Sequence, residues 1–189
     1  PDALAPVLSP QLMELHHDKH HAAYVKAANT LLEELADLPA DADPSDLTAA
    51  LAFNVGGHVL HSVFWTSMTP DQAPASPQLA AAITESFGSQ AALEKRMAMT
   101  VAKLRGSGWA MLSWEPLSQR LIVQQVHDHQ SGLVACSTPI LLIDGWEHAY
   151  YLDYKADRAS WGERFFEVAD WVSASERFAH AVESNETYL

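Results

Sequence analysis

The spacing of apolar residues changes at residues 106–108, Gly-Ser-Gly, and this change limits the folds open to the chain. Before it, apolar residues recur at the spacing of amphipathic helices. After it, the runs WAMLSWE, RLIVQQVHD and PILLID are short and separated by turn residues, which is typical of strands. Helices first, and then a small antiparallel sheet between helices, predict an α+β protein.

Two helices are predicted near the start of the chain. The first covers residues 10 to 35, with Ser9 as its cap and a proline at its first position. An acidic turn with two prolines follows, and Ser45 or Asp46 is the expected cap of the second helix. Because the connection is short, we expect the two helices to form an antiparallel hairpin.

A proline-rich segment at residues 68–77 is the expected domain boundary, because it has three prolines and no periodicity. We therefore predict an N-terminal helical hairpin domain at residues 1–70 and a C-terminal α/β domain at residues 78–189. The second domain is expected to contain a three-stranded antiparallel sheet flanked by helices. Its last helix is predicted to begin near Ser160 and to continue through Val172.

The formal net charge of −13 argues against nucleic acid and anionic membranes as partners, because both bind positive protein surfaces. No apolar run approaches the ~20 residues of a membrane span. The single cysteine, Cys136, cannot form an internal disulfide, and the first residues lack the pattern of a secretory signal. A cytoplasmic protein is therefore predicted, with signal-less export as the alternative.

Ten histidines are present, and nine of them lie in four short groups. Imidazole is a common ligand of redox-active transition metals, so this distribution predicts a metal site. One histidine on an apolar helix face is more often structural, but the patterns HHxxHH, HxxH and DxxxH together are harder to explain in that way. The groups are His16, His17, His20 and His21; His58 and His61; His127 and His129; and His148.

Helical spacing limits which histidines can converge. His16 and His20 share one face of the first helix, and His17 and His21 share a face rotated by about 100°. Only one pair can face the interior, and the apolar side of Leu15 favours His16 and His20.

The second helix and the third apolar run supply further candidates. His61 lies on an apolar stripe of the second helix. Asp144 ends the third run, and His148 follows four residues later at the start of a helical segment. Three imidazoles and one carboxylate bind iron or manganese and leave one position open, while the spacing leaves the reaction undecided.

Other catalytic motifs are absent from the sequence. HExxH, the zinc protease motif, does not occur. A di-iron site in a helix bundle needs two ExxH motifs, and this sequence has one, Glu14–His17. A structural zinc site usually has several cysteine ligands, and this chain has one cysteine. GxSxG, the nucleophile motif of serine hydrolases, is also absent.

Four sequence blocks resemble the iron/manganese superoxide dismutases. They are ELHHDKHHAAYV, LAFNVGGHVLHSVFW, GSGWAML and PILLIDGWEHAYYLDY, and together they span nearly the whole chain. The resemblance implies an enzyme that converts two superoxide anions to dioxygen and hydrogen peroxide, with one iron or manganese ion per subunit between the two domains. The implied metal ligands are His16, His61, Asp144 and His148.

The resemblance also implies roles around the metal. His20 and Tyr24 match the gateway pair of the substrate funnel, and Tyr151 matches a tyrosine that bonds to the gateway histidine of the other subunit. Glu147 matches a glutamate that reaches across a dimer to a ligand histidine, so a homodimer or homotetramer is expected. The aromatic shell around the metal is matched by Trp65, Trp109 and Trp146, and the cations near the funnel are matched by Lys19 and Arg158. The remaining grouped histidines are expected to be structural or surface groups: His17, His21, His58 and His127.

Family members place a hydrogen-bond partner of the metal-bound solvent at one of two positions. This chain has Gly57 at the first position, as manganese types do. It has His129 at the second position, as an iron-using subgroup does, and Gln130 is the competitor if the alignment shifts by one residue. Iron is therefore favoured, with manganese or use of both metals as the alternative.

The start of the chain, PDALAP, lacks most of the N-terminal segment that is usual in the family. This difference is expected to affect tetramer contacts more than the dimer. Two other functions stay open: a related metalloenzyme that acts on an organic substrate, and a non-catalytic metal-binding or storage protein.

Overall fold

The first histidine group lies on a continuous helical rod. In the computed structural model, which describes residues 2–185, the rod consists of α1 (Pro10–Leu15), a π-helical segment (His16–His21) and α2 (Ala22–Ala36). The hydroxyl of Ser9 accepts a hydrogen bond from a backbone N–H of the first turn at 3.1 Å, which confirms the predicted cap. The π-helical turn was not expected, and such turns are frequent at functional sites.

Helix α3 (Ser45–Trp65) packs against α2 to form the predicted hairpin. The expected cap at Ser45 or Asp46 is wrong, because Ser45 is already helical and Pro44 occupies the cap position. The carboxylate of Asp43 accepts a hydrogen bond from the backbone N–H of Ser45 at 2.9 Å and so satisfies this end of the helix.

Helix α3 is apolar along most of its length. Its 21 residues, with a mean hydropathy of 1.3 in an 18-residue window, meet the length and composition of a membrane span, contrary to the sequence expectation. These two criteria are weak evidence, because the core helix of a folded domain meets them as well. The helix packs against α2 and the sheet and carries His61 to complete burial.

The sheet is antiparallel with strand order β2–β1–β3, which confirms the predicted three-stranded sheet. The central strand β1 (Gly108–Glu115) pairs with β2 (Arg120–His127) on one side and with β3 (Thr138–Asp144) on the other. In the second pairing Trp109 lies opposite Asp144. The last residue of β3 is therefore held against the start of β1.

Helices both precede and follow the sheet along the chain. Helices α4 (Pro77–Phe87) and α5 (Gln90–Ala102) precede β1, and both contact β2. Up to residue 185, five helical elements follow β3: a 3-10 helix (Glu147–Ala149), α6 (Tyr151–Tyr154), α7 (Arg158–Arg164), a second 3-10 helix (Phe165–Glu167) and α8 (Trp171–Asn185).

The predicted single helix from Ser160 through Val172 is wrong, because the chain is interrupted between α7 and α8. Ala169 pairs with Met68 in an isolated antiparallel bridge, which requires extended backbone. The carboxylate of Asp170 then accepts hydrogen bonds from the backbone N–H groups of Val172 and Ser173, and α8 starts there.

Residues 69–76, between α3 and α4, form no helix or strand. The predicted division into residues 1–70 and 78–189 stays a prediction. Residue 1 and residues 186–189, which this division includes, lie outside the described part of the chain.

The residues before α1 belong to the hydrophobic core. Leu4, Val7 and Leu8 are buried, and the hydroxyl of Tyr154 donates a hydrogen bond to the carbonyl oxygen of Val7 at 2.6 Å. The N-terminal segment is thus attached to the segment that follows the third strand.

Replacing Leu8, which is 1% exposed, with alanine is expected to lower the free energy of unfolding. The expected loss is about 2–5 kcal/mol, because burial and packing are lost together. Urea denaturation of the metal-free protein measures it. Leu117→Ala is the matched control, since Leu117 is 76% exposed. Equal losses in the two variants would show that the N-terminal segment does not stabilise the core.

Candidate metal centre

Four side chains meet in a buried cluster where the helical hairpin contacts the sheet. His16, His61, Asp144 and His148 each place one ligand atom within 4.8 Å of the other three. Oδ2 of Asp144 lies 3.1 Å from Nε2 of His16, 3.6 Å from Nε2 of His61 and 3.5 Å from Nε2 of His148. Only the His148 side chain reaches solvent, with 12% exposure. The four ligands implied by the sequence therefore converge.

Each member of the cluster comes from a different element. His16 begins the π-helical segment, His61 lies near the end of α3, Asp144 ends β3, and His148 lies in the first 3-10 helix. The backbone N–H of Trp146 donates to Oδ1 of Asp144 at 2.8 Å. This bond fixes the carboxylate, and its other oxygen is the one nearest the imidazoles.

The cluster brings the Nε2 atoms of His16 and His61 close to one another and to a carboxylate oxygen. His61 donates its Nδ1–H to the carbonyl oxygen of Gly57 at 2.7 Å, so its Nε2 carries a lone pair 3.1 Å from Nε2 of His16. Oδ2 of Asp144 and Nε2 of His148 are buried and have no hydrogen-bond partner within residues 2–185. Buried acceptors that face one another in this way fit a bound cation.

Burial and mutual contact set the charge of the cluster. Burial lowers the pKa of His61 to about 3 and also lowers the pKa of His16. Burial would raise the pKa of Asp144, but the His148 and His16 imidazoles outweigh it and hold that pKa well below its usual range. At neutral pH the imidazoles of His16 and His61 are neutral and the Asp144 carboxylate is ionised, which is the protonation state that metal binding requires.

Aromatic rings enclose the cluster. The ring centroid of Trp109 lies 4.9 Å from that of His61, and those of Trp65 and Phe64 lie 4.8 Å and 5.5 Å from that of His16. Trp109 and Phe64 are completely buried. These walls exclude water, so charges inside the cluster interact strongly.

His129 is a fourth imidazole, buried beside the three of this cluster. It stacks on Trp146 with centroids 4.5 Å apart, and the indole N–H of Trp109 donates to its Nδ1 at 3.1 Å. Burial lowers the pKa of His129 to about 4. Its Nε2 is buried without a partner in the described part of the chain. Gln130, the competing residue, is exposed, and its Oε1 accepts the backbone N–H of His129.

Both halves of the chain match models of one protein family. The model of the α-hairpin domain of iron/manganese superoxide dismutases matches residues 1–69, and the model of their C-terminal domain matches residues 74–177. The chain belongs to the iron/manganese superoxide dismutase family.

Relatives in this family are named for both metals. A superoxide dismutase (Mn/Fe) of Propionibacterium freudenreichii subsp. shermanii is 45% identical over 185 residues, which cover 95% of this chain and 92% of the relative. A superoxide dismutase (Fe) of Mycobacterium tuberculosis is 39% identical over 95% of this chain and 88% of its own. A superoxide dismutase (Mn) of Nocardia asteroides is 41% identical, with coverages of 95% and 89%. Similarity alone does not choose the metal.

The two gateway candidates of this superoxide dismutase family member lie beside the ligand cluster. His20 is exposed and stacks on His148 with centroids 4.4 Å apart. Tyr24 is half-buried, and its ring centroid lies 5.2 Å from that of His61. Burial, followed by the charge of Asp144, raises the pKa of Tyr24 to about 12. Its hydroxyl therefore keeps its proton at neutral pH.

The predicted inward pair of the first helix is only half right. His16 is buried, but His20 is exposed, and His21 instead forms a hydrogen bond with α3. The indole N–H of Trp65 donates to Nδ1 of His21 at 2.9 Å, and Nε2 of His21 lies 2.8 Å from Nδ1 of His58. The i→i+5 spacing of the π-helical segment explains this, because it alters the α-helical pairing of faces.

Two residues expected at a subunit interface are exposed next to the cluster. Tyr151 is 49% exposed, and Glu147 is exposed as well. With Leu15, Leu152 and His148 they line a cavity of about 260 Å³. The partly exposed ligand His148 thus lies at the edge of this surface.

The two funnel cations differ in what they contact. Arg158 donates hydrogen bonds to the carbonyl oxygens of Gly106 at 3.0 Å, Gly145 at 3.3 Å and Leu104. Its guanidinium therefore holds the backbone next to Asp144. Lys19 is exposed on the π-helical segment.

The metal-free protein is expected to lose stability as the pH falls from 7 to 5. The folded-state pKa values of His61 and His129, about 3 and about 4, lie below the 6.5 of an ordinary histidine. Below pH 6.5 the unfolded state therefore binds more protons, and the free energy of unfolding decreases with falling pH, by up to about 1.4 kcal/mol per pH unit and group.

Urea denaturation at pH 7 and pH 5 measures this loss. His61→Gln removes one of the buried imidazoles and is expected to show a shallower dependence on pH. An unfolding midpoint that is the same at both pH values would contradict the assignment of neutral buried histidines.

Proposed function

We propose that the protein is a superoxide dismutase, which converts two superoxide anions and two protons to dioxygen and hydrogen peroxide. One observation carries the proposal: His16, His61, Asp144 and His148 converge in a buried cluster whose unpartnered acceptors fit one cation. These four residues are the proposed ligands. Family membership and the names of the relatives support the same reaction.

A bound iron or manganese ion would supply the one-electron redox chemistry of the two half-reactions. The protein holds three imidazoles and one carboxylate around that position, and it keeps the position dry with Trp65, Trp109 and Phe64. His20 and the exposed edge of His148 lie where the cluster comes nearest to solvent. Superoxide is proposed to enter on this side.

Two uncharged donors of this chain are proposed to serve the proton side of the reaction. Because an indole N–H can only donate, Nδ1 of His129 must accept from Trp109, and the ring proton lies on Nε2. Tyr24 keeps its hydroxyl proton, since its pKa is about 12. The ring centroids of His129 and Tyr24 lie 4.7 Å apart, and both rings lie beside His61, so these two residues would be the proton donors of this chain next to a bound metal.

We favour iron as the metal and keep manganese, or use of both, as the alternative. The support is the placement of His129: it is buried beside the cluster, whereas Gln130 is exposed. Gly57, which contacts the ring of Tyr24, leaves no side chain at the other position from which a hydrogen-bond partner could come. Elemental analysis of the purified protein distinguishes the metals.

Asp144→Ala and His148→Ala are expected to reduce metal content from one ion per subunit to less than a tenth, because each removes a ligand of a buried site. Elemental analysis paired with a superoxide-consumption assay on the same sample measures both properties. His180→Ala, at an exposed position of α8, is the control and should keep metal and activity. Full metal occupancy in either ligand variant would refute the ligand assignment.

The same experiment separates the alternatives. More than one strongly bound ion per chain would favour a storage protein. One ion per chain without superoxide consumption would favour a related metalloenzyme with an organic substrate.

We also propose a homodimer, or a homotetramer built from such dimers, formed through the surface around Glu147. Leu15, Tyr151 and Leu152 are 43%, 49% and 38% exposed there, beside the partly exposed ligand His148. Exposed apolar side chains next to a functional site support an interface, because a second subunit would cover them.

Glu147→Ala is expected to weaken the dimer about tenfold or more, and to reduce the preference for one metal, if Glu147 reaches a ligand histidine of the partner subunit. Analytical ultracentrifugation over a range of concentrations measures the dissociation constant. Glu183→Ala, which removes an exposed carboxylate of α8, is the charge-matched control. An unchanged dissociation constant would argue against the contact between subunits.

Cytoplasmic location, and the absence of nucleic-acid and membrane partners, stay proposals. Their support is the net charge of −13 and the single cysteine, Cys136, which cannot form an internal disulfide. Fractionation of the source cells, with signal-less export as the competing outcome, tests the location.

A further inference from the structure

Two glycines lie in the interior of helix α3, one turn before His61. Glycine lowers the stability of a helix interior relative to alanine, and no turn or positive φ requires Gly56 or Gly57 here. The reason for their presence must therefore lie in what approaches the helix from outside.

The backbone of His129 approaches α3 at Gly56. A Cβ atom at position 56 would lie 2.6 Å from the carbonyl oxygen of His129 and 3.2 Å from its Cβ. At Gly57 the neighbour is different, because a Cβ atom there would lie 2.8 Å from the ring of Tyr24. The two glycines thus make room for two different groups beside the metal cluster.

The segment that carries His129 cannot move away freely, because hydrogen bonds hold it on three sides. The backbone N–H of Asp128 donates to Ser107 at 3.1 Å, and its carbonyl oxygen accepts from the indole of Trp146 at 3.2 Å. His127 and Ser131 exchange two backbone hydrogen bonds, at 2.8 and 3.1 Å. A side chain at position 56 would therefore displace His129 itself, or separate α3 from it.

We infer that Gly56 is a positioning residue: the absence of a side chain there sets the place of the His129 imidazole beside the metal ligands. The imidazole has one fixed orientation, since Nδ1 accepts from Trp109 and the ring stacks on Trp146. A displacement of the His129 backbone by a few tenths of an ångström weakens one of these contacts and moves Nε2. Through His129, position 56 thereby affects the reduction potential of a metal held by the four ligands.

Gly56→Ala tests the inference, with Val55→Ala at the neighbouring exposed position as the matched control. In the metal-free protein, the indole N–H signal of Trp109 in a ¹H–¹⁵N spectrum is expected to shift in Gly56→Ala and not in Val55→Ala. In the metal-loaded protein, the optical spectrum and the midpoint potential are expected to shift, and kcat/KM is expected to fall by about tenfold.

A double-mutant cycle distinguishes positioning from a general structural effect. In a His129→Ala background the further change Gly56→Ala is expected to leave the midpoint potential unchanged, because the group through which Gly56 acts is gone. Equal shifts in both backgrounds would overturn the inference, as would an unshifted Trp109 signal in Gly56→Ala.

A second variant keeps the test open if Gly56→Ala does not fold. Phe53 lies one turn earlier on α3, and its ring centroid lies 4.8 Å from that of His129. Phe53→Leu removes this contact without adding bulk and is expected to shift the same Trp109 signal; an unshifted signal would overturn the inference.

The redox readouts rest on the proposed metal site, whereas the Trp109 signal does not. A wild-type protein that binds no metal would refute the proposed function and leave the positioning of His129 to be judged from that signal.

Discussion

The buried carboxylate of Asp144 is the group on which the rest of the structure depends. An ionised carboxylate out of contact with water costs several kcal/mol unless charge or hydrogen bonds compensate it. Here one carboxylate oxygen accepts from the backbone N–H of Trp146, and the other lies near the imidazoles of His16 and His61. Because burial keeps these two rings neutral, they do not supply a positive charge, and the fold preserves an electrostatic imbalance that a cation would remove. Helical hairpin and sheet both contribute to this one position.

Trp109 links the parts of the centre through three separate contacts. Its backbone in β1 lies opposite Asp144, its ring packs on His61, and its indole N–H determines the tautomer of His129. Because an indole N–H cannot accept a hydrogen bond, the tautomer is fixed by covalent structure and does not depend on solvent. The orientation of a proton donor beside the ligands is therefore decided by a residue that belongs to the sheet.

Much of the fold could be predicted from the sequence, because helical spacing, strand length and turn residues are local. The hairpin and the three strands follow from such patterns, whereas the convergence of His61, Asp144 and His148 was expected from the family resemblance. The rest depends on contacts between distant segments. The break before α8 is made by the bridge of Ala169 to Met68, and the unfavourable glycine at position 56 is explained only by the carbonyl group of His129. Neither partner is visible in the local pattern.

In the π-helical segment, the number of residues in the HHDKHH motif sets how the two ends of the helical rod are rotated relative to each other. In an α-helix, residues five apart point about 140° away from each other, whereas here His16 and His21 both contact α3. Deleting one residue between them would return the rod to an α-helical register. Everything before the deletion would then turn by about 100° around the helix axis, including Val7 and Leu8, which are anchored in the core. The buried residues Val7 and Leu8 would oppose that rotation at one end, and His16 in the ligand cluster would oppose it at the other. The number of residues in the motif is therefore constrained from both sides.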